Sequence, residues 1–157
     1  MAQLNGFSKT LTWADFTGSV PPSNPENLSA FTKATFMPTN ITNKQVPDGA
    51  GKSWQLQDTF IMNITLDGGK SWALSSVKSD PPSNTKLLNH EQGHYDLIAL
   101  LGRDMFVEMQ QLLPKMFPTQ NDLNKAITDM HTRYKQLESK IGKAYDDANQ
   151  ATNHGTN

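Results

Sequence analysis

The clearest alternation in the chain lies at residues 59–66, where Phe60, Met62, Ile64 and Leu66 alternate with Thr59, Ile61, Asn63 and Thr65. A period of two puts every second side chain on one face, as in a half-buried strand. Asp67-Gly68-Gly69-Lys70 follows. Its glycines admit the positive φ angles of a tight reversal, so residues 71–77, with Trp72 and Leu74, are expected to return as the hairpin partner. Two earlier segments are also expected to be extended: residues 10–16, with Leu11 and Trp13 on one side, and residues 29–37, stopped by Pro38. Gly18, Pro21, Pro22 and Pro25 mark a loop between them.

From residue 80 the period lengthens. Asp80-Pro81-Pro82-Ser83 reads as a helix start, because Asp80 or Ser83 can cap free N–H groups and proline is tolerated in a first turn. Leu87, Ile98, Leu101, Met105, Met109 and Leu112 then share one stripe of a 3.6-residue repeat, which predicts a helix over residues 81–113, ended by Pro114. Thr119 with Asp122 resembles a capping box. It opens a second helix whose stripe is Leu123, Ile127, Met130, Tyr134, Leu137, Ile141 and Ala148. The short link makes the pair an antiparallel hairpin. The expected fold is α+β in a single domain spanning 1–157: an antiparallel sheet from the strands and loops of 1–79, packed on the helices of 80–157.

Composition narrows the function. With 14 basic and 15 acidic side chains in 157 residues the net charge is −1, which lacks the cationic excess that a nucleic-acid surface needs. No apolar run approaches the length of a membrane span, and MAQLNGFSKT does not read as a signal peptide. The absence of cysteine leaves the compartment open. A chain of this length folds without a structural metal, so any metal it holds is expected to serve chemistry.

Residues 90–94 read His90-Glu91-Gln92-Gly93-His94, an HExxH motif inside the first predicted helix. Histidines four apart stack on one helix face and can share one ion, while the intervening glutamate leans into the same space. Zn²⁺ on three protein ligands keeps a fourth position for water and lowers that water's pKa to about 7; the glutamate takes its proton. His90, Glu91 and His94 also fall on the apolar stripe. Two imidazoles and a carboxylate on a buried face cost several kcal/mol without partners, and a divalent cation compensates them. The plainer alternative is a structural histidine pair beside a solvated glutamate.

The same residues carry a resemblance. HEQGHYDL at 90–97, preceded by Leu87-Leu88 and followed by Arg103, resembles the bacterial zinc-dependent protease family with the signature HEQGHFD. LTWADFTG at 11–18 resembles that family's LTW-x-DF-x-G block, Lys70-Ser71-Trp72 its KSW strand, and Thr152-Asn153-His154-Gly155 its T-x-H-G element. The resemblance implies a zincin-like fold, one catalytic Zn²⁺, a peptide or protein substrate, and a secreted or periplasmic location; a cytoplasmic one is the alternative.

HExxH supplies two ligands, His90 and His94, and the third must come from elsewhere. The metzincin spacing is excluded, since the positions it needs are Leu97 and Leu100. Glu108 shares the face, but at about 1.5 Å per residue it stands roughly 21 Å along the helix from His94. A simple hairpin pivoting about residues 116 and 117 brings Glu138 level with His94; the resemblance points instead to His154. Tyr145 is a candidate donor to a tetrahedral intermediate. Asp96 faces away from the pair, His131 is expected at the surface, and Gly93 and Gly142 are read as allowing close approach.

The leading expectation is a zinc metallopeptidase with Glu91 as general base, whose extended substrate pairs with the edge of strand 71–77. A metal-binding or interaction module without catalysis, and a zinc amidase acting on cell-wall peptides, are the alternatives.

Overall fold

The computed structural model describes residues 1–150 apart from Pro25 and Ala50, so His154 and the T-x-H-G element lie outside the described residues. In chain order the elements are β1 (Gln3–Asn5), β2 (Ala30–Phe31), β3 (Ala34–Thr39), β4 (Asn43–Asp48), β5 (Gly51–Leu56), β6 (Ile61–Leu66), β7 (Trp72–Ala73), α1 (Ser75–Ser79), α2 (Thr85–Gln110) and α3 (Gln120–Gln150). The α+β class is as expected. In place of one antiparallel sheet there are three small ones: β1-β6-β3, with β1 parallel to β6, and the pairs β2-β7 and β4-β5. No described helix is long and apolar enough to cross a membrane.

The alternation at β6 holds. Phe60, Met62 and Ile64 are buried, and Phe36 comes in beside them from β3. β3 continues through Pro38 to Thr39 because it is an edge strand, where a missing N–H breaks no ladder.

The expected hairpin after β6 does not form. Residues 67–70 do turn, with the N–H groups of Lys70 and Ser71 donating to the Asp67 carbonyl, but both edges of β6 are already taken by β1 and β3. The chain leaves instead through Ser71, whose buried hydroxyl accepts from Lys33 N and donates to the Asp67 carbonyl. Only Trp72 and Ala73 are extended, and they pair with Phe31 and Ala30. Residues 75–79 are helical, not strand.

Two other segments also differ. Residues 10–16 hold a 3-10 turn at Trp13–Asp15, in which the Asp15 carboxylate accepts from the N–H and hydroxyl of Thr12. The turn buries Trp13 and Phe16 together, ring centroids 5.1 Å apart, where a strand would have alternated them. The strand expected over 29–37 is split at Thr32-Lys33 into β2 and β3.

α2 starts at Thr85, after a 3-10 turn at Pro82–Asn84, four residues later than the period suggests. Its buried face carries Leu87, His90, Glu91, Tyr95, Ala99, Leu101, Gly102, Met105 and Met109. Gly102 lets the helix lie on the sheet: a Cβ there would stand 2.9 Å from Ile64 and 3.0 Å from Phe36. The capping box opens α3 as expected, the Asp122 carboxylate accepting from Thr119 N and Oγ1 while Asp122 N donates to Thr119 Oγ1.

The register of the helical hairpin differs from the simple count. Residues 111–119 form no symmetric link: Phe117 first pairs through its backbone with Trp54 of β5, and only then does α3 begin. Glu108 thereby accepts from Arg133 at 2.5 Å and from Tyr134 at 3.0 Å, which sets the pivot near residue 120. The upper half of α3 then turns a different face inward. Leu123, Ile127, Met130 and Tyr134 are buried, but Leu137 is exposed, and the positions that follow toward α2 are Glu138, Ile141, Gly142, Tyr145 and Asp146.

Candidate metal centre

His90 and His94 reach the space between α2 and α3 from one face of α2, one turn apart. Their Nε2 atoms are 3.2 Å from each other. Asp146, on α3, completes a triangle: its Oδ1 is 2.9 Å from His94 Nε2 and 3.7 Å from His90 Nε2. Ligand atoms held tetrahedrally about 2.0–2.1 Å from Zn²⁺ stand about 3.3–3.4 Å apart, so the three atoms are spaced as three corners of such a site. Two imidazoles and a carboxylate are also a donor set that zinc accepts.

Glu138, the ligand the simple count selects, is not in the triangle. With the pivot near residue 120, it lies two turns short of His94 and pairs with Lys135. It helps to line a recess that His94 and Gly142 also border. Asp146, which takes its place, carries no signal in the sequence that marks it as a ligand. His154 remains outside the described residues.

Glu91 is 3% exposed. Burial pushes its pKa up to about 7; the Thr32 hydroxyl opposes that shift by donating to Oε2 at 2.6 Å, and the nearby Asp146 charge adds to it. A dication in the triangle would pull it down again. Thr32 sits at the break between β2 and β3, a position that periodicity reads only as strand interior.

Tyr145 does not point into the cleft. Its ring stacks on His90 with centroids 5.0 Å apart and planes 12° from parallel, and it meets His94 edge-on at 4.9 Å. Its hydroxyl donates to the His90 carbonyl at 3.2 Å. It reaches that carbonyl because residue 93 is glycine: a Cβ on Gly93 would lie 2.0 Å from the hydroxyl oxygen. Burial, then the charges of Glu91 and Asp146, raise the Tyr145 pKa, so the hydroxyl keeps its proton. Gly142 approaches nothing and instead leaves open space at the cleft wall.

Other residues of the motif brace the site. Gln92 accepts from Leu11 N at 2.7 Å and donates to the Lys9 carbonyl and to Asp96 Oδ1, so it ties α2 to residues 9–11. Asp96 thus acts through Gln92 and touches neither histidine. Tyr95 is fully buried, its hydroxyl donating to the Gly6 carbonyl at 2.6 Å. His131 is not at the surface; it is half-buried with its ring edge-on to Phe36 at 5.8 Å.

In front of the triangle lies a cleft of about 400 Å³ bounded by residues 26–32 on one side and by His90, Glu91, His94, Gly142 and Asp146 on the other. Comparison of the chain with models of protein families, with curated proteins and with solved structures finds no match. The class that site and fold define is accordingly an α+β domain with a His-His-Asp cluster beside a buried glutamate in an open cleft.

Proposed function

We propose that the protein is a zincin-like zinc metallopeptidase, with His90, His94 and Asp146 as ligands and Glu91 as general base. The observation that carries the reading is the triangle of ligand atoms, 2.9 to 3.7 Å apart, with a buried carboxyl beside it at the wall of a cleft. An ion bound there supplies Lewis acidity, acidifying water and polarising a substrate carbonyl.

The protein's own residues supply the rest. Glu91 takes the proton of the attacking water and returns it to the leaving amine, a cycle that suits a carboxyl whose pKa burial has moved toward neutrality. Thr32 fixes the carboxyl by holding Oε2, which leaves Oε1 for the proton. Tyr145 is a positioning residue: stacked on His90 and anchored to the carbonyl of the same residue, it sets the ring plane of the first ligand and carries Asp146 next to it in sequence. Gln92 and Asp96 hold α2 against residues 9–11.

The substrate edge moves from strand 71–77 to β2. Only Trp72 and Ala73 are extended, and β2, their partner, forms the cleft wall with Thr32. An extended peptide along Ala30–Phe31 would run past the triangle.

The test is turnover and metal content together. Glu91→Gln should keep one Zn²⁺ per chain and lose cleavage of a peptide library by about a hundredfold or more. A variant that loses the metal, or still cleaves, contradicts the reading. Cleavage confined to cell-wall peptides would assign the amidase, and stoichiometric zinc without any hydrolysis the non-catalytic module.

A further inference from the structure

Beside the cleft a second hollow, of about 350 Å³, is bounded by Pro21, Asn24, Leu28, Phe31, Trp72 and Glu26. The two spaces are continuous, because Glu26, Leu28 and Phe31 line both. Its floor is aromatic: Phe31 stacks on Trp72 with centroids 6.3 Å apart and planes 23° from parallel, and Phe31 is 40% exposed although Trp72 beneath it is buried. Its shape is held by Asn24, whose side chain accepts from Leu28 N at 3.0 Å and donates to the Leu28 carbonyl at 2.8 Å. An apolar, aromatic floor with one carboxylate at the rim fits a side chain that has a long apolar stem and a charged end.

The sign of that charge follows from the lining. Among the described residues the cleft carries three carboxylates, Glu26, Glu91 and Asp146, and neither Lys nor Arg, and the adjoining recess adds Glu138 and Lys33, whose charges offset each other. A single dication leaves this mouth negative, and without one it is more so. A cation is drawn in and an acidic group repelled.

We infer that the Phe31-Trp72 hollow is a specificity subsite for a lysine or arginine side chain of the peptide in the cleft. The stem lies over the Phe31 ring, which favours a cation above its face, and the ammonium or guanidinium pairs with Glu26. The inference rests on the peptidase reading for the identity of the ligand, and it adds the substrate class.

Binding separates the two. Fluorescence anisotropy of a labelled pentapeptide containing lysine, and of its norleucine and glutamate counterparts, is measured on protein carrying Glu91→Gln with Zn²⁺ withheld, which leaves the mouth negative and the peptides uncleaved. The lysine peptide should bind about tenfold more tightly than the norleucine peptide, the scale of one charge-assisted contact. Adding Glu26→Gln should erase that difference, Glu26→Lys should reverse it toward glutamate, and Phe31→Ala should weaken lysine and norleucine peptides alike. Equal binding of lysine and norleucine, or a preference that survives Glu26→Gln, overturns the subsite even if the unmodified protein cleaves peptides. A lysine preference abolished by Glu26→Gln in a protein that cleaves nothing upholds the subsite and removes the peptidase.

Discussion

Tyr145 crosses α2 at Gly93 so closely that a methyl group there would stand 2.0 Å from its hydroxyl oxygen and 2.6 Å from the ring carbon that bears it. The glycine of the HExxH motif is thus the seat of the tyrosine that covers His90. Gly93→Ala should raise helix propensity by about 1 kcal/mol, yet weaken zinc binding by about tenfold, because the displaced ring moves His90 and the neighbouring Asp146. Gly93→Ala with Tyr145→Ala should bind zinc no worse than Tyr145→Ala alone, since the clash is then absent. Chelator competition checks this, and additive losses would show that Gly93 acts through something else.

The proposed carboxylate ligand is the next test. Asp146→Ala should weaken zinc binding by about a hundredfold or more, above the loss usual for residues that only support a ligand. Glu138→Ala should change it by less than about twofold, because Glu138 pairs with Lys135 away from the triangle. The opposite ranking would restore the simple hairpin count.

A carboxyl raised by burial destabilises the metal-free fold as it ionises. With a folded pKa of about 7 against an ordinary 4.5 for Glu91, the unfolded chain gives up its proton first. Stability is therefore full below about pH 4.5 and falls between there and pH 7, by an amount on the order of 3 kcal/mol. Glu91→Gln removes this loss. Chemical denaturation of the metal-free proteins should show the variant gaining on the parent as pH rises through that window and keeping a constant lead above it; parallel curves would mean that Glu91 is not buried as described.

Gln92 has a structural role that metal binding does not reveal. Gln92→Leu leaves Leu11 N and the Lys9 carbonyl without their partner, which should cost about 1–3 kcal/mol. Thermal unfolding should move down by roughly 3–10 °C. An unchanged midpoint would show that residues 9–11 are held by other contacts.

How far the sequence discloses this arrangement depends on what each signal measures. His90, Glu91 and His94 follow from spacing alone, because a helix converts a four-residue interval into a shared face whatever surrounds it. The buried stripes of α2 and the first half of α3 are equally local, as is the Thr119-Asp122 box. Asp146 is different. Its approach to His94 depends on where the hairpin pivots, and that is set by Phe117 pairing with Trp54 of a hairpin, β4-β5, whose strands carry no hydrophobic alternation. Likewise the apolar periodicity follows Leu137 and Ala148, both exposed, and misses the polar face of Gly142 and Asp146 that walls the cleft. The hairpin expected after β6 fails for a related reason: the turn chemistry at Gly68-Gly69 is local, but whether an edge of β6 is free depends on β1 and β3. Thr32 is reached only through the break between β2 and β3, which no propensity marks.

The most direct test of the central claim is elemental analysis of the protein and its Glu91→Gln variant after exchange with Zn²⁺, alongside peptide cleavage by both. One zinc per chain in each, and turnover in the first alone, is the expected result. Absence of stoichiometric metal from both, or equal cleavage by the two, contradicts it.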